Sequence, residues 1–275
     1  MDGILSGQRP GGFIPIARLK GDEPFARQCE EALAAQCKAL DAGWLGDHYA
    51  LDFADDGQAL AIPNAMTTGW AAYSGACDDD RALAAIEGGL KAIERPDRVL
   101  LLETPFYEHS QPYPGRIADY PPGVRENGGQ YSHGATWIVD GFVRLAEAAA
   151  AKGDREKAAR LNARAFEIFE KISPLKKTDP ESIAVYGLIP LQQPADIYDG
   201  WGHGGRGGWS WYTGSAARML SAAYAMLGVV QANGEIGVRD DLFEPKGELN
   251  IASLRIGTSV WSRGAGERQQ AIAAD

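Results

Sequence analysis

Tyr120-Pro-Pro-Gly-Val-Arg-Glu-Asn-Gly-Gly-Gln-Tyr-Ser-His-Gly-Ala-Thr-Trp137 is the stretch on which the reading of the chain turns. It sets a charged pair (Arg125, Glu126), an amide (Asn127), a phenol (Tyr131) and an imidazole (His133) among Pro121, Pro122, Gly128 and Gly129. The prolines fix φ, and the glycines permit backbone angles and close approaches denied to other residues. An apolar helix is expected to begin near His133. A loop feeding a helix in this way gathers polar groups onto a ligand; the alternative is a long surface connection, and composition does not separate the two.

Outward from this stretch the pattern is helical. Ile138, Phe142, Leu145 and Ala149 continue in steps of three and four, Gly153 and Asp154 mark a stop and a start, and Ala158, Leu161, Ala165, Ile168 and Ile172 follow as a second stripe. The two form a helical hairpin. Upstream, Gly- and Pro-rich residues 1–23 hold one short helix over Ile14 to Leu19. Pro24 suits a first turn, with Phe25, Cys29, Leu33, Cys37 and Leu40 behind it up to Gly43. Trp44 to Leu60 reads as short extended pieces around Asp55-Asp56-Gly57, and a helix covers Ala65 to Gly75. Another follows Asp80 as N-cap, with Leu83, Ile86, Leu90 and Ile93, and closes at Pro96. Val99 to Leu102 is too short to assign, and Glu103 to Gly134 is loop. A second loop spans Ser173 to Gly208, and a last helix spans Trp211 to Val230. Asn233-Gly234 reads as a turn, Glu248 to Ile256 as one or two strands, and the tail after Trp261 as frayed. No sequence repeat is present. The sum is a mainly α chain of about six helices in hairpin pairs, with long loops at one end: an α/α toroid or part of one.

The bulk numbers exclude several classes. At 275 residues, 45% hydrophobic and 23% charged, the chain has the composition of a globular protein. A net charge of -10, spread along the chain, argues against nucleic acid or an anionic membrane as partner. No apolar run approaches the ~20 residues of a membrane span, and the start has no signal-peptide pattern. Cys29, Cys37 and Cys77 lack metal-ligand spacing, and Cys29 and Cys37, eight residues apart on one helical face, read as buried thiols, which suits a reducing, cytoplasmic setting.

The stretch Tyr120 to His133 closely resembles the hallmark of glycoside hydrolase family 94, the family of cellobiose, chitobiose and 1,2-β-oligoglucan phosphorylases and of the C-terminal part of cyclic β-1,2-glucan synthases. A second block resembles it too: Ala195-Asp196-Ile197-Tyr198, then His203, then Gly205-Arg-Gly-Gly-Trp-Ser-Trp-Tyr-Thr-Gly-Ser-Ala216. Weaker similarity covers Trp44 to Phe106. The resemblance implies an (α/α)6 barrel, with residues 1–232 as its later part and residues 233–275 as the start of a small C-terminal β segment and tail. It also implies that the preceding β-sandwich, linker and early barrel helices are missing.

By the same resemblance, His133, Thr213 and Gly214 bind inorganic phosphate, and Arg125, Glu126, Asn127 and Asp196 bind the sugar. The chemistry suits these roles: an imidazole N–H, a hydroxyl and a helix N-terminus all donate to an anion. The family's general acid is the aspartate of a Trp-Asn-Asp motif usually followed by Gly, and the local candidate is Asp2, before Gly3. His203 and Arg206 line the site or serve the fold, and one of Trp137, Trp209 and Trp211 is expected to stack on a sugar. The expected reaction is inverting phosphorolysis of a β-linked glucooligosaccharide, with phosphate as co-substrate, no cofactor and no metal, and a homodimer possible. The alternatives are an inverting hydrolase, with Glu126 or Asp196 as base, and an inactive sugar-binding fragment.

Overall fold

The computed structural model describes residues 12–200, 202–211, 213–232, 235–239, 251–256 and 259–263. After the short α1 (Phe13–Leu19), which starts behind Gly12 without a side-chain cap, each early helix starts where a side chain caps it. Asp22 accepts from Phe25 N ahead of α2 (Glu23–Leu40). Asn64 accepts from Thr67 N to open α3 (Ala65–Tyr73), and Asp78 accepts from Arg81 N to open α4 (Asp79–Ile93). That cap lies two residues before the expected Asp80. In a run of three aspartates, only the one three residues ahead of a free helical N–H makes the bond.

The expected hairpin is α5 (Ser132–Ala151) and α6 (Arg155–Ile172), turning at Gly153 with φ 80° and capped by Asp154. The expected loop from Ser173 to Gly208 contains a further helix, α7 (Pro180–Tyr186), capped by Asp179 and closed by left-handed Gly187. The last helix, α8 (Thr213–Met226), ends short of the expected Val230. Gly228 turns left-handed at φ 70°, and the β-branched pair Val229-Val230 enters a strand instead.

Strands are short. β1 (Asp52–Phe53) pairs with β2 (Ala59–Leu60) around the expected Asp-Asp-Gly turn. β3 (Gln130–Tyr131), β4 (Asp196–Ile197) and β5 (Gly207–Gly208) form a three-stranded antiparallel sheet. Beyond α8, β6 (Val229–Ala232) pairs with β7 (Glu235–Val238), and β8 (Ile251–Ile256) pairs with β9 (Ser259–Arg263). Residues 233 and 234 lie outside the described residues, as do Asp2 and the end of the tail.

The contacts fix the helix directions. Gly69 meets Trp137 and Ile138, and Gly141 meets Ala72, so α3 and α5 run parallel. His133 meets Gly214 and Asp140 pairs with Arg218, so α5 and α8 are parallel too. The hairpin partners α4 and α6 return outside them, which is the alternation of an (α/α) barrel wall. Buried Ile86, Ile93, Leu100, Leu102, Ile138, Phe142, Ile168 and Ile172 fill the space between the two layers. The fold is mainly α, part of a barrel of helical hairpins with short β segments. Because α3, α5 and α8 share a direction, the loops that enter them lie at one end, and that end carries the site.

The α3–α5 contact depends on a missing side chain. A Cβ at Gly69 would stand 2.8 Å from Trp137 C and 2.9 Å from Ile138 N, both backbone atoms that cannot swing away. Gly69→Ala is therefore expected to destabilise the protein by about 1–3 kcal/mol, although Ala in a free helix would help. A urea or thermal melt reads the sign, and an unchanged midpoint would refute this close contact. The N-terminal pair behaves differently. α2 buries only Ala26, against Ile14 and Ala17, while Phe25 (42%) and Leu40 (44%) of its expected apolar stripe stay exposed. Cys29, Cys37 and Cys77 are free thiols, each half-buried rather than buried.

A candidate phosphate and sugar site at the helix N-termini

The central loop is built from its own backbone. Gly123 N donates to Asn127 O, Asn127 N to Val124 O, and Gly129 N to Arg125 O. The Asn127 side chain is fully buried. Its Oδ1 accepts from Phe106 N at 2.6 Å, and its Nδ2 donates to Phe106 O and Tyr120 O at 2.8 Å. All three bonds serve the loop, so Asn127 braces the site from behind, whereas the resemblance implied a sugar ligand. Gly123 packs on Gly200, where a Cβ would meet backbone at 2.4 Å, and Asp199 N donates to Gly123 O at 2.8 Å. The two sequence blocks are thereby locked together.

The small sheet completes the junction. Tyr131 opposes Asp196, and Asp196 opposes Gly208. A Cβ at Gly208 would stand 2.9 Å from Asp196 Oδ1 and 2.7 Å from the Tyr198 hydroxyl, so only glycine leaves room for this carboxylate. Asp196 is 1% exposed, and neither carboxylate oxygen has a hydrogen-bond partner among the described residues. Burial pushes its pKa up to about 6, against the opposing pull of Arg125. Glu126 is bound by Arg125 Nε at 3.3 Å and adds a second negative charge nearby. Arg125, Glu126 and Asp196 thus form one charged cluster.

Next to the cluster lies the imidazole. His133 occupies the first turn of α5, a helix whose N-cap, Tyr131, makes no side-chain capping bond. Ser132 N–H is spent on Ala195 O at 2.8 Å, so the donors left at this end are the N–H groups that follow it in the turn. The Tyr131 ring stacks on His133 at 6.1 Å and 13°, and Trp137 meets it edge-on at 5.3 Å. Across the groove, the Cβ position of exposed Gly214 is 3.4 Å from His133 Nδ1, at the start of α8. Burial lowers the His133 pKa, and the Arg218 cation lowers it further. Two parallel helix N-termini and a neutral imidazole meet here, which is an arrangement that holds an anion. Thr213 is the first residue of α8, but its side chain lies outside the described residues, as does all of Asp2. His203 and Arg206 are exposed.

One pair went unread in the sequence. Asp140 and Arg218 are joined behind His133, with Arg218 also 5.9 Å from the Tyr73 ring centroid. Burial pushes Asp140 up to about 6, with Arg218 opposing. The signal was available: Asp140 lies two turns past His133 and Arg218 one turn past Gly214, each a charge set in an apolar stripe. Among the described residues, no cluster of ligating side chains suited to a metal occurs, and no helix is long and apolar enough to cross a membrane.

The described residues thus form part of an α/α-barrel wall that gathers two helix N-termini and a carboxylate cluster at one end. Residues 9–228 match the glycosyl hydrolase 94 superfamily, catalytic domain, and the chain belongs to that family. It is 36% identical over 238 residues to the cyclic beta-(1,2)-glucan synthase NdvB of Rhizobium meliloti (strain 1021), covering 82% of this chain and 8% of that protein. It is 27% identical over 231 residues to solabiose phosphorylase of Paenibacillus borealis, covering 79% of this chain and 28% of that protein. The chain therefore spans less than a third of the length of either relative.

Proposed function

We propose that this chain serves inverting phosphorolysis of a β-linked glucooligosaccharide, releasing a sugar 1-phosphate. The observation that carries the reading is the approach of His133 to Gly214 where α5 and α8 both begin. Inorganic phosphate would sit beside this contact, which at 3.4 Å leaves no room for an anion between the two groups, held by the imidazole, by Thr213 and by helix N–H groups. From there one phosphate oxygen attacks the anomeric carbon from the face opposite the leaving group. The glycosidic C–O bond breaks, and a carboxylic acid protonates the departing oxygen. Phosphate is already anionic, so no protein base has to activate it. In this reading the donors that grip it would take the place of the second carboxylate that a hydrolase needs. Arg125, Glu126 and Asp196 would take the hydroxyls of the sugar beside the broken bond. The general acid in this proposal is Asp2. The phosphorylase among the relatives supports the reaction class.

A second reading makes water the nucleophile and Asp196 its base, and it draws on the raised pKa of that carboxylate. Phosphate decides between them. Incubated with β-linked glucooligosaccharides, the protein is expected to cleave in proportion to added phosphate and to release glucose 1-phosphate. Cleavage at the same rate in phosphate-free buffer would establish hydrolysis instead. Binding of oligosaccharide with no turnover in either buffer would identify a sugar-binding chain.

A further inference from the structure

Among the described residues, the two non-glycine positions with positive φ are Arg125 at 51° and Trp209 at 56°. Left-handed backbone is unfavourable for any residue with a Cβ, and it persists where the surroundings over-determine it. These two positions lie far apart in the chain, one in each sequence block, yet their side chains meet. The Arg125 guanidinium carbon lies 4.5 Å from the Trp209 ring centroid and 5.5 Å from that of Tyr120. Glycine would suit either backbone without strain, and Gly207-Gly208 immediately precede Trp209. The chain instead keeps its largest cation and its largest aromatic at these two points. Their backbones aim them at each other beside Glu126 and Asp196.

The other candidate tryptophans are placed differently. Trp137 is half-buried within an aromatic row, 5.3 Å from His133 on one side and 5.3 Å from Trp70 on the other. Trp211 is 84% exposed. Trp209 is both anchored and open: the arginine fixes its ring, and the residue is still 50% exposed. An indole fixed in this way offers its π-surface to the C–H face of a pyranose, while neighbouring carboxylates take the hydroxyls at the rim.

We infer that Trp209, oriented by Arg125, is the aromatic platform on which this chain stacks a glucosyl unit of its oligosaccharide. That unit adjoins the one gripped by Glu126 and Asp196, so Trp209 governs selectivity for the glucan. The inference rests on the glucooligosaccharide reading of the site.

The test combines calorimetry and thermal melts of the whole chain. The ligands are a length series of β-linked glucooligosaccharides and, separately, inorganic phosphate; the variants are Trp209→Gly and Trp209→Phe. Trp209→Gly relieves the left-handed backbone and removes the ring. It is expected to melt at the same temperature as wild type or higher, to bind phosphate as wild type does, and to lose about tenfold or more in oligosaccharide affinity. Trp209→Phe keeps a ring and the strain, and should fall between the two. Oligosaccharide affinity of Trp209→Gly within about twofold of wild type would overturn the platform. So would a lower melting temperature together with loss of phosphate binding, because that pattern marks a structural residue. Wild type that binds oligosaccharide through Trp209 but ignores phosphate leaves the platform standing and removes phosphorolysis. Wild type that binds no oligosaccharide of the series removes both.

Discussion

His133→Ala is expected to cut phosphate-dependent turnover by more than about 100-fold, because it deletes a preorganised donor to the attacking anion. The same variant should lose the protection that phosphate gives in a thermal melt, while oligosaccharide binding through the Arg125, Glu126 and Asp196 cluster is kept. The geometry makes this a local effect. The ring is held by stacking on Tyr131 and by the edge of Trp137, and among the described residues it makes no hydrogen bond into the core, so its removal leaves the α5 backbone in place. The sign of its titration is also informative. Burial and Arg218 hold the imidazole below its ordinary pKa, so the folded protein without phosphate resists protonating it, and that resistance costs stability as pH falls below the usual histidine range. A bound phosphate dianion reverses the local charge and favours the imidazolium, while phosphate, mostly the monoanion near pH 6, gives up a proton on entering as the dianion; wild type should therefore bind phosphate with more proton uptake than His133→Ala, by up to one proton. Calorimetry in buffers of different ionisation enthalpy measures this uptake. An alanine variant with unchanged phosphate affinity and proton uptake would remove His133 from the anion site.

The parts of the fold that were legible are the local ones. α1 to α6 follow from apolar stripes and from start and stop signals such as Pro24, Gly43, Gly153 and Asp154, because a helix is decided within a few turns of chain. α7 escaped, although Asp179-Pro180 is a start signal, because its Ile183 and Val185 stay exposed and make no stripe. The end of α8 was misjudged because Val230 continues the helical spacing, while Gly228 and strand pairing with β7 decide otherwise. In the site, the two sequence blocks pointed to His133, Gly214, Arg125, Glu126 and Asp196, which gather at one end of the fold. How each side chain is used was not legible. Asn127 looks like a ligand in a row of ligands, yet Phe106 and Tyr120 absorb its amide. The isolation of Asp196 depends on Gly208 opposite it in a sheet assembled from three distant segments.

That isolation carries the second large effect. Asp196 is buried, and among the described residues neither oxygen makes a hydrogen bond of good geometry, the backbone N–H groups of Arg125 and of Asp196 itself lying near it as weak donors; its folded pKa of about 6 lies above the 3.8 of an ordinary Asp. A carboxylate raised in this way favours the folded state below its unfolded pKa, and the favour is lost as pH rises through the folded value. At pH 7 the ionised group therefore weighs against folding by on the order of 3 kcal/mol. Asp196→Asn removes the charge while keeping the shape, so the variant should melt higher than wild type at pH 7 by several degrees, at roughly 2–4 °C per kcal/mol. The gain should shrink as pH is lowered from 7 to 5, where wild type takes up its own proton. A residual slope should remain, since buried Asp140 is raised in the same sense. Function should move the other way. An unpartnered buried carboxylate beside Arg125 and Glu126 has the acceptors that sugar hydroxyls require, and the amide offers one acceptor fewer and no charge. Oligosaccharide affinity and turnover are therefore expected to fall by about 10–100-fold. Opposite signs in stability and binding would mark Asp196 as held in strain for a ligand. An Asn variant that melts no higher at pH 7 and binds sugar like wild type would show that the carboxylate serves the fold alone.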